Sequence, residues 1–338
     1  MLAKPLLAPT AQTLKGGALS QVYLSAEQAI EVPSGQYLLG LMEHGGGGSQ
    51  DQFHDDAPTA LLAMDPLGGH ASREVWVTDQ PVRYGTLGEI RYARSENLLF
   101  GVGRYPAENL EQVTYQAYCD LSQLVRSSEA GRLIRLWNYF PDINESQGNL
   151  ERYRRFCRGR HEALTRMGFG LSQDLPAASA VGSGAGDFWV IFLAGKGASR
   201  QVENPLQMSA FHYPPIHGPR SPSFSRAVRY SSRGSDLLFI SGTASIRGHA
   251  TVHGCDLVGQ CLTTVENLRA LLKQAGAKDS GPWGNRACWK VYLRRGGDFE
   301  TVRKCLEQTL NPADPILYVT GDICRTSLLL EIEGLVHL

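Results

Sequence analysis

Two carboxylates set two residues apart near the end of the chain, in Leu328-Leu329-Leu330-Glu331-Ile332-Glu333-Gly334, are the residues best placed to do chemistry. Leucines at both odd and even positions predict a strand buried on both faces, and a carboxylate in such a strand is costly unless it is paired or keeps its proton. Glu331 is therefore a candidate acid. The competing reading sends Glu331 and Glu333 together to one wet face and leaves Leu328, Leu330 and Ile332 for the core. A second polar group, Tyr213, His217, Arg220, Ser223 and Arg226, crowds the stretch 204–230, where four prolines after position 212 exclude a regular helix. Segment 152–164 is a third: a basic amphipathic pattern carrying Tyr153 and Arg160 among Arg152, Arg154, Arg155 and Arg158. On periodicity alone its arginines read as a solvated helix face.

Other motifs are weaker. His249 and His253 have the spacing that puts two imidazoles on one helix face. Gly248 and Gly254 bracket them, however, and RGHATVHG alternates like a hairpin, so no metal site is expected. The glycine run after His44 lacks the Gly-Lys-Ser/Thr ending of a phosphate loop and reads as a flexible loop.

Composition narrows the partners. The 338 residues hold 33 Lys+Arg and 33 Asp+Glu, a balance that gives no electrostatic case for nucleic acid or an anionic membrane. The first residues, MLAKPLLAPTAQTL, contain only a short, proline-interrupted apolar run, and no later stretch is long enough to span a bilayer. The expectation is a soluble, cytoplasmic protein. Seven scattered cysteines with no C-x-x-C pair predict reduced thiols and no structural zinc.

Positioning these residues requires elements, and the chain predicts them twice. Strand 97–103, helix 110–125, strand 133–140, helix 152–164 and strand 187–193 are matched by strand 237–242, helix 257–272, strand 288–294, helix 299–310 and the closing strand 328–333, at an offset of roughly 140–155 residues. The spacing predicts an α+β protein of two fused β-α-β-α-β units: residues 1–200, a crossing segment 201–230, and residues 231–338. Residues 36–43 read as a strand, residues 1–35 as an arm or irregular strand pair, and 73–79 with 82–92 as a hairpin around Asp79-Gln80-Pro81.

The second unit resembles the RidA (YjgF-like) family in Phe239-Ile240-Ser241-Gly242, in the helix pattern Asp256…Gln260…Asn267, in Lys290-Val291-Tyr292-Leu293…Asp298-Phe299, and in Leu330-Glu331-Ile332-Glu333. The whole chain is more specifically similar to the chorismatases, which fuse two such units. That resemblance rests on five ordered blocks: residues 135–144 (RLWNYFPDIN), 151–160 (ERYRRFCRGR), 218–227 (GPRSPSFSRA), 240–246 (ISGTASI), and Asp322-Ile323-Cys324-Arg325 with 329–334 (LLEIEG). It implies a pseudo-trimer-like arrangement working as a monomer, a pocket lined mainly by the second unit, and cofactor-free cleavage of chorismate to pyruvate and a hydroxylated ring acid. It further implies Glu331 as proton donor, Arg160 and Arg226 with Tyr153 and Tyr213 as a clamp for the two substrate carboxylates, and Ala244 and Cys324 beside the ring. Cysteine at 324 favours 3-hydroxybenzoate, with some 4-hydroxybenzoate an accompanying product, and alanine at 244 fits a dihydroxycyclohexadiene acid instead. An imine or enamine deaminase of the RidA type and a non-catalytic metabolite binder are the alternatives.

Overall fold

The computed structural model describes residues 18–45, 56–69, 71–170, 172–277 and 286–338. The glycines at 46–48 and the first 17 residues lie outside them.

The duplicated pattern folds into two units with one topology. In the first, strands Ile90–Arg94 and Leu98–Tyr105 lead into helix α1 (Leu110–Ser127). Strand Arg132–Pro141, helix α2 (Arg152–Arg166) and strands Ala177–Ser183 and Phe188–Gly195 follow. In the second, strands Ala227–Ser232 and Ser235–Thr243 lead into α3 (Leu257–Ala275). Strand Ala287–Leu293, helix α4 (Phe299–Glu307) and strands Ile316–Thr320 and Leu330–His337 follow. Each unit thus adds two further strands to the predicted β-α-β-α-β core. The strand beyond each second helix pairs in parallel with the strand before that helix, the pairing a helical crossover allows.

Local chemistry accounts for the helices. Asp256 caps α3 by accepting from the Gly259 amide, and Gly276 ends it in the left-handed conformation. On α2 the buried positions Phe156, Cys157, Ala163 and Leu164 face the sheet. Gly159 lets α2 lie against α1, because a Cβ there would collide with the backbone carbonyl of Glu111. That close crossing carries Arg160 inward rather than to solvent.

The expected hairpin of 73–79 with 82–92 does not form. Arg73–Thr78 pairs with Leu19–Leu24 and Tyr37–His44, whereas Arg83–Leu87 pairs with Ile90–Arg94 in another sheet. Strands between residues 19 and 78 build a third, four-stranded sheet beside the six- and seven-stranded sheets of the two units. All three turn one face to a common core in which Trp76, Trp137 and Phe239 meet, while α1 and α2 cover the outside of one unit and α3 and α4 the other. The pseudo-trimer-like arrangement is therefore completed by a sheet of this same chain that has no helix among its described residues.

Candidate active site

The seam between the two units holds the cavity. The first unit's edge strand Ala177–Ser183 bridges to the second unit at both ends, Ala177 to Ser225 and Gly182 to Asp322. Between these bridges Ala178, Ser179 and Ala180 line a space of about 240 Å³, with Ala178 and Ser179 hydrogen-bonded to Ser241, Gly242 and Glu333 of the second unit. Helix α2 and the crossing segment roof it. The first unit lines as much of the cavity as the second, contrary to the expectation that the second would dominate. All seven residues singled out from the sequence, Tyr153, Arg160, Tyr213, Arg226, Ala244, Cys324 and Glu331, line this one cavity.

Glu331 and Glu333 do share a face of the closing strand, but that face is not wet: they are 5% and 4% exposed. Their surroundings then separate them. Burial, reinforced by the charge of Glu333, pushes the Glu331 carboxyl up to about 8 against the opposing pull of Arg135 and Arg226. Among the described residues no donor reaches the Glu331 carboxyl, which faces the cavity. Burial also pushes Glu333 upward, but Lys290, Arg135, and the Ser179 and Trp137 donors together hold it at about 2. Arg135 Nη2 donates to Glu333 at 2.7 Å, Trp137 Nε1 at 2.8 Å and Ser179 Oγ at 2.5 Å. A carboxyl that keeps its proton near neutral pH and an ionised carboxylate thus stand two residues apart.

The backbone beside Glu331 is irregular. Pairing between Ser235–Thr243 and Leu330–His337 shifts register between Ile240 and Thr243, and the Gly242 amide donates to Ser179 Oγ at 3.0 Å. Gly242 is indispensable here because a Cβ on it would overlap the Glu331 carboxyl. Bulges of this kind re-aim side chains beside active sites.

Two guanidinium groups face the carboxyl without counter-ions. Arg160 is 1% exposed, its carbon lies 4.8 Å from the Phe156 ring centroid, and its Nε has no hydrogen-bond partner. Arg226 is 3% exposed and donates to the Met208 carbonyl at 2.9 Å and the Tyr213 hydroxyl at 2.7 Å, with its Nε unpartnered. Neither forms a salt bridge with a described carboxylate. Because the Tyr213 hydroxyl accepts from Arg226, its own proton is free for a ligand. Arg160 also bonds the Tyr118 hydroxyl, but buried cations without a counter-ion are expensive, and a bound anion would compensate both. The other α2 arginines have structural partners: Arg152 donates to the carbonyls of Pro141 and Ala107, and Arg158 to Glu111. The solvated-face reading fails for Arg152, which is buried on backbone carbonyls, and for Arg160, which faces the cavity.

Cys324 forms a half-buried part of the wall, and burial, with the nearby Glu331, pushes its thiol up to about 12. It is a neutral thiol at physiological pH. The Ala244 and Ile246 carbonyls both accept from Asn267 Nδ2 of α3 at 3.0 Å, which fixes the turn that carries Ala244. Gln260 of the same helix donates to the Ser327 carbonyl at 2.8 Å and accepts from the Leu329 amide at 2.8 Å. These two helix residues, quoted from the sequence only as a pattern, are staples for the cavity wall.

Sequence reasoning missed Ser179 and Gly242, whose roles depend on packing across the seam, and Arg294. The last threads the loop 322–328: it donates to the carbonyls of Ile323, Arg325 and Leu328 and to Asp322, at 2.6–2.9 Å. Arg325, which the sequence left unassigned, lines the cavity mouth and donates to the His249 carbonyl at 2.9 Å. His249 in turn meets His217, ring nitrogens 3.0 Å apart, rather than His253. No group of three His, Cys, Asp or Glu with metal-binding geometry occurs among the described residues.

Known proteins share this architecture. The model of the chorismatase FkbO/Hyg5-like N-terminal domain matches residues 74–194. A Streptomyces hygroscopicus protein named 3-hydroxybenzoate synthase is 33% identical over 97% of this chain and 99% of its own length. A chorismatase from the same organism is 36% identical over 88% of this chain and 89% of its own. A crystal structure of a chorismatase superposes with a TM-score of 0.86 at 34% identity, covering 94% of this chain and 98% of that one. With full-length identity above 30% and the same fold, the chain belongs to the chorismatase family.

Proposed function

We propose that this protein cleaves chorismate to pyruvate and 3-hydroxybenzoate without a cofactor, acting as a cytoplasmic monomer. The observation that carries the reading is the pairing of a buried carboxyl that keeps its proton near neutral pH with two buried guanidinium groups that lack counter-ions, in one cavity. Chorismate is a dianion whose carboxylates sit on the ring and on the enolpyruvyl side chain. Planar guanidinium forks match such groups. In this reading Arg160 and Arg226 hold the carboxylates, and the Tyr153 and Tyr213 hydroxyls donate alongside.

Glu331 then delivers its proton to the terminal methylene carbon. A C–H bond forms, the vinyl ether becomes an oxocarbenium-like cation, and the carboxylate left behind stabilises it. Attack by the neighbouring ring hydroxyl on the carbon bearing the ether breaks that C–O bond and releases pyruvate. Its proton returns to Glu331, and the arene-oxide-like product aromatises to 3-hydroxybenzoate. Water attack on the cation would instead leave the dihydroxycyclohexadiene acid, and a different opening of the ring species would give some 4-hydroxybenzoate. A thiol at 324 that keeps its proton supports the aromatising route against the diene-forming resemblance of Ala244, as does the relative named 3-hydroxybenzoate synthase. Residues 231–338 supply the acid, while residues 201–230 and the unit within residues 1–200 close the cavity over it.

The test is pyruvate release from chorismate, followed with lactate dehydrogenase, with the ring product identified by chromatography. Glu331→Gln is expected to bind chorismate by calorimetry with little change and to lose turnover by about 10²–10⁴-fold. A variant that keeps most of its rate would place the acid elsewhere. Chorismate binding with no pyruvate from the native protein would make it a binder.

A further inference from the structure

Glu333 does not line the cavity, yet it is the most heavily bonded carboxylate near it. Besides Arg135, Trp137 and Ser179, it has Lys290 Nζ at 3.3 Å. Lys290 in turn reaches across to the N-terminal sheet, where Glu74 Oε2 lies at 2.6 Å. Glu74 is itself fixed by Gln21 Nε2 and Trp76 Nε1, both at 2.9 Å. Lys290 also donates to the Tyr139 hydroxyl at 3.2 Å, and Tyr139 meets Tyr292 at 2.8 Å. All four charged groups are at most 4% exposed.

The charges in this buried cluster balance: Glu74 and Glu333 against Lys290 and Arg135. Glu331 stands next to it as a third carboxyl with no cation left over inside the cluster, so neutrality is kept only if Glu331 carries its proton.

We propose that Glu333 is a positioning residue for the reaction: its fixed negative charge keeps the proton on Glu331, and the N-terminal sheet secures that charge through Glu74 and Lys290. The inference rests on Glu331 being the proton donor of the chorismatase reading. Glu331 is faced by Glu333 on its own strand, Arg135 and Ser179 from the first unit, Arg226 from the crossing segment and Cys324 from the loop 322–328. Its register partner is Tyr292; Glu151 before α2, Tyr153, Arg154, Cys157 and Arg160 on it, His217 and Arg220 of the crossing segment and Arg325 of the loop line the same cavity. Burial keeps Cys324, Cys157, Tyr153 and Tyr292 neutral. The charges that act directly on Glu331 are Glu333, Arg135 and Arg226, and of these only Glu333 favours the protonated form.

The experiment is the pH dependence of kcat/KM for pyruvate release in the native protein, Glu333→Gln and Lys290→Met, with the Glu331 carboxyl titrated in parallel by carbon-13 NMR, its signal assigned by loss in Glu331→Gln. At about 7 Å along a strand, removing the charge at 333 is expected to move the alkaline limb and the NMR midpoint down by about one to two pH units. Lys290→Met withdraws a cation that holds Glu333 ionised, so it is expected to raise the Glu333 midpoint in the same NMR titration and to move the Glu331 midpoint and the alkaline limb down, by less than Glu333→Gln does. If Glu333→Gln does not fold, that downward shift in Lys290→Met decides. Slower or less stable variants whose limb and midpoint stay at the native pH would make Glu333 structural only and overturn the proposal. If the native protein releases no pyruvate, the chorismatase reading fails, and the NMR midpoints alone still decide whether Glu333 holds the proton.

Discussion

At the scale of single residues, the site depends on one carboxyl being kept from ionising. In the proposed reaction the protonated form is the active one, so kcat/KM is expected to be level through neutral pH and to fall as pH rises past about 8. The same shift costs stability. In the unfolded chain Glu331 ionises near 4.5, whereas the native state must hold its proton up to about 8, so the cost grows as pH rises between those values. Glu331→Gln is therefore expected to gain stability relative to the native protein on going from pH 5 to pH 8, by about 3 kcal/mol in denaturant titrations. A stability difference independent of pH would show that Glu331 is ionised when folded. Gly242 offers a separate handle. The atom that a Cβ there would strike is the tip of the Glu331 side chain, so Gly242→Ala is expected to keep the fold and move the acid. A drop in kcat of about 10²-fold with near-native melting is the expected outcome, measured by the pyruvate assay and thermal unfolding.

At the scale of elements, the site is a set of short irregular pieces held by long side chains from regular ones. Asn267 and Gln260 reach out of α3 to the turns around Ala244 and Ser327, and Arg294 binds the backbone of the loop that carries Cys324 and Arg325. No lysine could replace Arg294, because its acceptors are spread around a planar fork. Arg294→Lys is expected to leave chorismate cleavage detectable but to lower kcat by about tenfold and change the ratio of ring products, since Cys324 loses its fixed place. Unchanged product ratios on chromatography would show that the loop holds itself. Gly159 works at the same scale on the other side of the cavity by setting the depth at which α2 delivers Arg160.

At the scale of the whole molecule, three sheets share one core, and the third comes from residues 19–78 of the same chain. With that sheet as the third wall of the core the proposed state is a monomer, and sedimentation is expected to give a single species near 37.0 kDa. An obligate trimer would contradict this. The N-terminal sheet also brings Glu74 to Lys290, which makes it part of the electrostatics of the site as well as of the fold.

The sequence by itself determined the two repeated units, because their buried strands and amphipathic helices are written in local periodicities of two and 3.6 residues. It also determined the candidate acid, since a carboxylate between leucines is a conflict visible without coordinates. Tertiary structure decided what periodicity cannot carry. Glu331 and Glu333 have the same spacing and the same face, and only Arg135, Trp137, Ser179 and Lys290, drawn from distant segments, make one of them a permanent anion and leave the other its proton. By periodicity Arg160 is indistinguishable from its neighbours, and only the crossing of α2 over α1 at Gly159 turns it into the cavity. The strand at 73–78 was read as half of a local hairpin because its alternation matches any neighbour, and its true partners are fixed by long-range pairing. Burial and charge balance are sums over the folded chain, so they exist only once the chain has folded.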